Sequence, residues 1–136
     1  MCKFGYQNGD YVRYQCNKVF RITDVTSWSA IDENNETIQS IDLSCPNISL
    51  CKDVLLICGF VLEDKRWELH LSNSYRVVYD LNDGRCKIYS TTQIPPIATN
   101  EFMTLLALQH FVRNNINCEL EINHHNLAKY VRENYR

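Results

Sequence analysis

A turn signal at Asn82-Asp83-Gly84 constrains the fold more than any other feature, because it separates two runs of alternating apolar and polar residues. An Asp-Gly pair in a short loop between such runs is typical of a β-hairpin, since both residues tolerate the positive φ angles of tight turns. These two runs are residues 75–81 and 85–89. Residues 67–71 lie before them in the chain and show the same alternation. Together the three runs predict an antiparallel meander.

The first forty residues also predict strands, which are shorter and are separated by polar turns. Residues 11–16 and 19–25 form a hairpin pattern, and residues 28–31 and 37–41 indicate a third and a fourth strand. Four short antiparallel strands commonly curl into a small barrel. Residues 1–45 are therefore predicted to form an SH3-like or partly open β-barrel.

A short helix is predicted between these two strand-rich regions. It begins at Cys51, and Gly59 can end it in the left-handed conformation, after which Phe60 would fold back over the helix end.

Two further helices are predicted after the meander. Thr99 or Asn100 can cap the first, which would run through residue 114, and Asn123 can cap the second. Between them, residues 118–122 alternate in the manner of a short strand.

The sequence therefore predicts an α+β fold, in which the barrel is followed by a helix, the three-stranded meander, a helix, a short strand and a helix. A chain of 136 residues with 45% hydrophobic residues is large enough to bury one core. We interpret residues 1–136 as a single domain, with a barrel-like unit at 1–45 and an α+β unit at 46–136.

Hydropathy and the first residues of the sequence predict a cytoplasmic protein. The formal net charge of -2 provides no strong attraction for nucleic acid or anionic lipid, although nucleic acid is not excluded. No apolar run approaches the roughly 20 residues of a membrane helix, and residues 1–10 lack the apolar stretch of a secretory signal. In that compartment the seven cysteines are expected to be free, largely buried thiols.

The potential ligands and nucleophiles lack the spacing that chemistry requires. His110, Cys118 and the adjacent pair His124-His125 do not match a zinc-ligand pattern, and the sequence contains no Cys-x-x-Cys. No glycine cluster could form a phosphate-binding loop, and outward carboxylates on a strand are usually just solvated. We therefore expect no catalytic residue, no metal and no cofactor.

Aromatic and basic residues interleave in the predicted strands. Such a pattern can stack bases and hold phosphates, or can form the ordinary outer faces of a sheet. The candidate contacts to nucleic acid or to a protein partner are Tyr11, Arg13, Tyr14, Arg21, Arg76 and Lys87.

Three motifs frame most of the chain: Gly9-Asp10-Tyr11-Val12, the segment 48–60 that ends in Cys58-Gly59-Phe60, and the segment 108–122. Segment 108–122 begins with Leu-Gln-His-Phe and ends with Glu-Leu-Glu-Ile. In these motifs the chain resembles a group of small proteins of Bacteroides-type bacteria and of their phages and mobile elements. That group has no assigned function, so the resemblance implies a cellular context and a fold rather than an activity.

The absence of a catalytic signature, together with this resemblance, favours a non-enzymatic binding or interaction module. It would act as a phage or mobile-element accessory protein on a host or virion protein, or by self-association. Two alternatives stay open: a nucleic-acid-binding small barrel, and an enzyme whose site is assembled only in three dimensions.

Overall fold

The computed structural model describes residues 6–15, 17–39, 47–71, 74–91 and 95–135. They form two antiparallel sheets and three helices, which confirms the predicted α+β class. In chain order the elements are β1 (Tyr11–Tyr14), β2 (Lys18–Asp24), β3 (Ser29–Ile31), β4 (Thr37–Ile38), α1 (Lys52–Ile57), β5 (Val61–Glu63), β6 (Arg66–Leu71), β7 (Tyr75–Tyr79), β8 (Arg85–Ser90), β9 (Ala98–Glu101), α2 (Leu105–Ile116) and α3 (His124–Asn134).

Internal contacts divide the chain into two compact units. The first unit comprises Met1–Ile48 and Asn123–Arg136, and the second comprises Ser49–Ile122. The C-terminal helix thus belongs with the N-terminal strands, whereas we assigned it from the sequence to the region 46–136. The interpretation of residues 1–136 as one domain stays a prediction.

The first unit contains the strands β1 to β4 in sequential order. Val12, Phe20, Ile22 and Ala30 are almost completely buried and lie on one side of the sheet, because side chains alternate between its two faces and these residues pair across the strands. The predicted hairpin and the third and fourth strands are present, while Cys16 and residues 40–41 lie outside the described residues. Within the described ranges, β1 and β4 are the sheet edges and do not pair with each other.

The second unit contains a five-stranded sheet in the order β5-β6-β7-β8-β9. Its central strands β6, β7 and β8 are the predicted meander. Trp67, Val77, Tyr79, Cys86 and Ile88 occupy one face of this sheet and are buried. The opposite face of this sheet carries the charged side chains.

Helix α1 ends as the sequence predicts. Gly59 has a φ of 93°, its amide donates to the carbonyl of Leu56 at 3.0 Å, and the amide of Phe60 donates to Leu55 at 3.0 Å. This pair of hydrogen bonds is a Schellman motif, which satisfies carbonyls that the helix end would otherwise leave unpaired. Phe60 is buried, as expected of the residue that folds back over the helix.

The predicted start of α2 is wrong. Thr99 and Asn100 belong to β9, which pairs with β8, and the cap is Thr104, whose hydroxyl accepts a hydrogen bond from the Ala107 amide. The free edge of β8 offers backbone partners to this segment, and this outweighs the local capping preference. The cap of α3 is confirmed, because the Asn123 side chain accepts from the Asn126 amide at 2.9 Å.

The strand predicted at residues 118–122 is also absent, since these residues belong to no sheet. Their burial does alternate, with Leu120 buried between the exposed Glu119 and Glu121. Alternation therefore reports the extended backbone correctly. A strand also needs a hydrogen-bonding neighbour, and a sequence pattern does not show whether one is present.

Candidate functional site

The structure distributes the six predicted contact residues over both units. Tyr11, Arg13, Tyr14 and Arg21 lie on β1 and β2 of the first unit, and Arg76 and Lys87 lie on β7 and β8 of the second. The two groups are therefore considered separately.

In the first unit, Tyr11 and Arg13 contact residues at the two ends of α3. The Tyr11 ring is only 6% exposed and meets the His124 ring edge-on, with centroids 5.2 Å apart. The Arg13 guanidinium carbon lies 4.0 Å from the centroid of the Tyr135 ring, and its Nε donates to the Asn47 carbonyl. Both side chains thus hold the fold together.

The other two residues of this group differ in environment. The Tyr14 ring packs edge-on against Phe20 at 5.1 Å, and Arg21 is exposed and forms no ion pair with another described residue. A nearby cavity of about 360 Å³ has Lys18 and Arg132 opposed by Asp32 and Glu33. Its charges balance, so the cavity shows no preference for an anionic or a cationic ligand.

In the second unit, Arg76 lies at the centre of a row that crosses the polar face of the sheet. His70, Arg76 and Tyr89 are directly opposite one another on β6, β7 and β8 and therefore share this face. The Arg76 guanidinium carbon lies 4.8 Å from the Tyr89 ring centroid, and its Nη1 donates to Glu68 Oε1 at 3.3 Å. These two contacts fix the orientation of the guanidinium.

A cleft of about 540 Å³ opens beside this row. Its lining comprises His70, Leu71, Ser74, Tyr75, Arg76, Tyr89, Ser90 and Thr91. Lys87 lies on the same strand as Tyr89, two residues away, and so projects from the same face. The lining thus offers one permanent cation, Arg76, together with aromatic rings and hydroxyl groups, but no carboxylate.

Glu63, Glu68 and His70 form a group whose potential metal-ligating atoms all lie within 4.8 Å of one another. Arg76 already binds Glu68, however, at 3.3 Å. A cation bound there would have to approach a permanent positive charge, so this group is better described as an ion-pair network than as a metal site.

Strand β5 forms an exposed apolar edge of the same sheet. Leu56, Val61 and Leu62 are 49%, 48% and 57% exposed, respectively. Asp64 and Lys65 connect β5 to β6 with φ angles of 47° and 68°, as in a two-residue hairpin loop. From the sequence we did not predict this strand, although the polar pair Asp64-Lys65 before the run at residue 67 was an available signal.

The hairpin geometry determines which backbone groups of β5 face outward. Glu63 and Arg66 flank the loop, and such a flanking pair exchanges its hydrogen bonds across the two strands. The amide and carbonyl of the preceding residue, Leu62, must therefore point away from β6. Leu62 thus presents a donor and an acceptor at the open edge, and its exposed apolar side chain projects from the same face of the sheet as Trp67, its partner on β6.

The buried titratable groups are poorly suited to catalysis. Burial raises the pKa of both Cys58 and Cys86 to about 12, so neither forms the nucleophilic thiolate at neutral pH. Burial also raises the pKa of Tyr79 to about 12, and its hydroxyl donates to the Phe102 carbonyl at 2.6 Å. Burial lowers the pKa of His124.

No protein-family model, no curated protein and no solved structure matches this chain. Among the helices of the described residues, none has the length and apolar character needed to cross a membrane.

Proposed function

We propose that this protein is a non-enzymatic interaction module, which binds an extended segment of a partner protein as an additional strand along β5. The observation that carries this proposal is Leu62, whose outward backbone groups and exposed side chain form an incomplete strand edge. Strand addition to such an edge gains affinity from backbone hydrogen bonds and specificity from alternate side chains. Natural proteins often protect such edges with charged side chains or proline, whereas two of the three residues of β5, Val61 and Leu62, are exposed and apolar, which favours a binding role.

A segment of another protein fits the edge better than a second copy of β5 does. Two copies paired around Leu62 would share only its outward amide and carbonyl, because the Phe60 amide is already bonded to Leu55 and the next residue, Asp64, lies in the turn. A longer partner strand could also place a basic side chain near Glu63, which is exposed. We therefore propose an extended apolar segment with a basic residue as the ligand.

The resemblance to proteins of Bacteroides-type bacteria and their phages supplies a context for this activity. The module would act in the bacterial cytoplasm as a phage or mobile-element accessory protein, and the segment would belong to a host or virion protein. For the first unit we propose a partly open, SH3-like barrel, because the register of β2 and β3 shifts between Ile22 and Asp24. Such irregularities bend strands and increase their twist.

The edge can be tested by selecting binders from a library of random decapeptides displayed on phage. Synthetic versions of the selected peptides are then titrated against the wild type and against Leu62→Pro. Proline removes the outward amide, and it is tolerated on the open side of an edge strand because no hydrogen bond within the sheet is lost. We expect the affinity to fall at least about tenfold, as expected for the loss of one backbone bond together with local contacts.

Ile97→Lys is the matched control, because Ile97 is another exposed apolar residue of the same unit, 39% exposed. It should leave the affinity unchanged, whereas Leu62→Lys should abolish binding. Selected peptides that bind Leu62→Pro as tightly as the wild type would refute the proposal. If the wild type is a dimer that Leu62→Pro dissociates, and no peptide binds, the ligand of this edge is a second copy of the chain rather than a partner segment.

A further inference from the structure

We infer that the cleft beside Arg76 binds a nucleotide unit. The Arg76 guanidinium would donate hydrogen bonds to the phosphate, and the base would stack on the flat surface that the guanidinium and the Tyr89 ring form together. This site lies on the polar face of the sheet, and the inference does not rest on the strand edge proposed above. The ligand chemistry is the same for a free nucleotide and for one unit of a single-stranded nucleic acid.

The position of Arg76 favours an anion. One nitrogen, Nη1, is bound to Glu68, and no other described side chain accepts from the rest of the guanidinium. Since arginine has five donor hydrogens in a fixed fork, the remaining donors can bind phosphate oxygens. Glu68 keeps the side chain in place, and its own side chain is only 13% exposed, so its oxygens are largely inaccessible to a ligand in the cleft.

The surroundings favour a phosphate that is attached to a flat ring. The Arg76 guanidinium lies over the Tyr89 ring, and Tyr75 also lines the cleft. Bases stack both on aromatic side chains and on guanidinium planes. The hydroxyls of Ser74, Ser90 and Thr91 can bond to a sugar or to base edges. The cleft volume of about 540 Å³ lies within the range of small-ligand sites.

The charge distribution limits the affinity and makes it weakly salt-dependent. Arg76 lines the cleft and Lys87 lies on the same face, but Glu68 offsets part of the Arg76 charge at 3.3 Å. The Glu63 carboxylate lies within 4.8 Å of His70, and Arg85 on this face is paired with Glu101 at 3.2 Å. Two phosphate contacts on a single strand give a slope of log affinity against log salt of about -1.4 at most. The formal net charge of -2 adds no long-range attraction.

The test uses NMR titration of the full chain with AMP, adenosine and inorganic phosphate, and fluorescence anisotropy with an eight-nucleotide single strand. Arg76→Met and Tyr89→Leu should each weaken AMP binding at least about tenfold, and Tyr89→Phe should retain it, because the ring alone provides stacking. Arg85→Met removes the same charge from the same face outside the cleft and is the matched control. Urea unfolding of every variant confirms that the fold is intact.

The inference holds if AMP binds more tightly than phosphate or adenosine alone and if Arg85→Met changes its affinity less than about twofold. Binding of the eight-nucleotide strand at least tenfold tighter than AMP identifies a single strand as the source, and equal affinity identifies the free nucleotide. The inference is overturned if neither probe binds at millimolar concentration. Equal losses in Arg76→Met and Arg85→Met would also overturn it.

Discussion

Replacing Gly84 by alanine tests the tight turn between β7 and β8. Gly84 has a φ of 73°, and a Cβ at this position would lie 2.7 Å from the Met103 sulfur and 2.9 Å from the Phe102 carbonyl oxygen. The Phe102 backbone cannot easily move away. Its amide donates to the Gly84 carbonyl at 2.9 Å, and its oxygen accepts from the Tyr79 hydroxyl at 2.6 Å.

Two costs add up in Gly84→Ala. A left-handed conformation costs an alanine about 1–2 kcal/mol, and overpacking a well-packed site typically costs about 1–3 kcal/mol. We therefore expect the free energy of unfolding to fall by about 2–5 kcal/mol. Gly59→Ala is a matched control with a φ of 93°, but its Cβ would meet only Leu69 Cδ1 at 3.4 Å, so only the first cost, about 1–2 kcal/mol, applies.

Urea unfolding followed by tryptophan fluorescence and far-UV circular dichroism measures both variants, with the free energies obtained by linear extrapolation. In the double variant Gly84→Ala/Met103→Ala, the contact with the sulfur disappears while the backbone contact stays. It should therefore lose less stability than the two single variants together. If Gly84→Ala and Gly59→Ala reduce stability equally, within about 0.5 kcal/mol, the close approach to Phe102 has no energetic role and the reasoning fails.

Three further predictions concern single side chains. Thr104→Ala removes the hydroxyl that caps α2 and should destabilise the protein by about 1 kcal/mol in urea unfolding, because one helix amide loses its acceptor. Burial lowers the pKa of His124 below 6.5, so as the pH falls the unfolded chain binds a proton at this histidine before the folded chain does. The free energy of unfolding should therefore fall as the pH drops from 7.5 through 6.5, and it should fall less in His124→Gln. Iodoacetamide at pH 8 should label the half-buried Cys118 before Cys58 and Cys86, whose pKa values are about 12, as followed by peptide mass spectrometry.

Each of these predictions has its own control. Thr104→Ser keeps an acceptor oxygen and should remain close to the wild type; equal destabilisation by serine and alanine would argue against capping. His125→Gln serves for the pH series, since His125 is exposed and should leave the profile unchanged; a profile of His124→Gln identical to that of the wild type would exclude His124 as the source. Labelling all three thiols at equal rates would contradict the protection of the buried pair.

The elements that the sequence predicts correctly are those in which local and long-range preferences agree. Gly59 both ends α1 and permits the Schellman hydrogen bonds, so the end of this helix is predictable from a short segment. The Asp83-Gly84 turn likewise joins two runs that already alternate. In such cases the turn residues and the burial pattern independently favour the same structure.

The errors concern backbone pairing between segments. β5 and β9 complete the two edges of the five-stranded sheet, yet neither segment alternates strongly, because edge strands are partly solvated on both sides. Residues 118–122 do alternate but have no neighbouring strand. Which segment pairs with which edge is a property of the fold as a whole.

Prediction of the candidate sites from the sequence is limited in the same way. Arg76 and Lys87 stand out in the sequence because basic and aromatic residues interleave around them, and the structure places Arg76 in a cleft. Tyr11 and Arg13 belong to the same pattern but contact residues at the two ends of α3, which lies more than a hundred residues later in the chain. Leu62 carries no sequence signal, because its importance depends on the side of β5 that faces outward.

The division of the chain imposes an order on biosynthesis. The first unit needs Asn123–Arg136, whereas the second, Ser49–Ile122, is continuous and is an insertion within the first. On the ribosome, the inserted unit can therefore fold while the N-terminal strands still lack their helix. Those strands expose apolar side chains until residues 123–136 have left the ribosome, and during this interval the nascent chain is prone to aggregate.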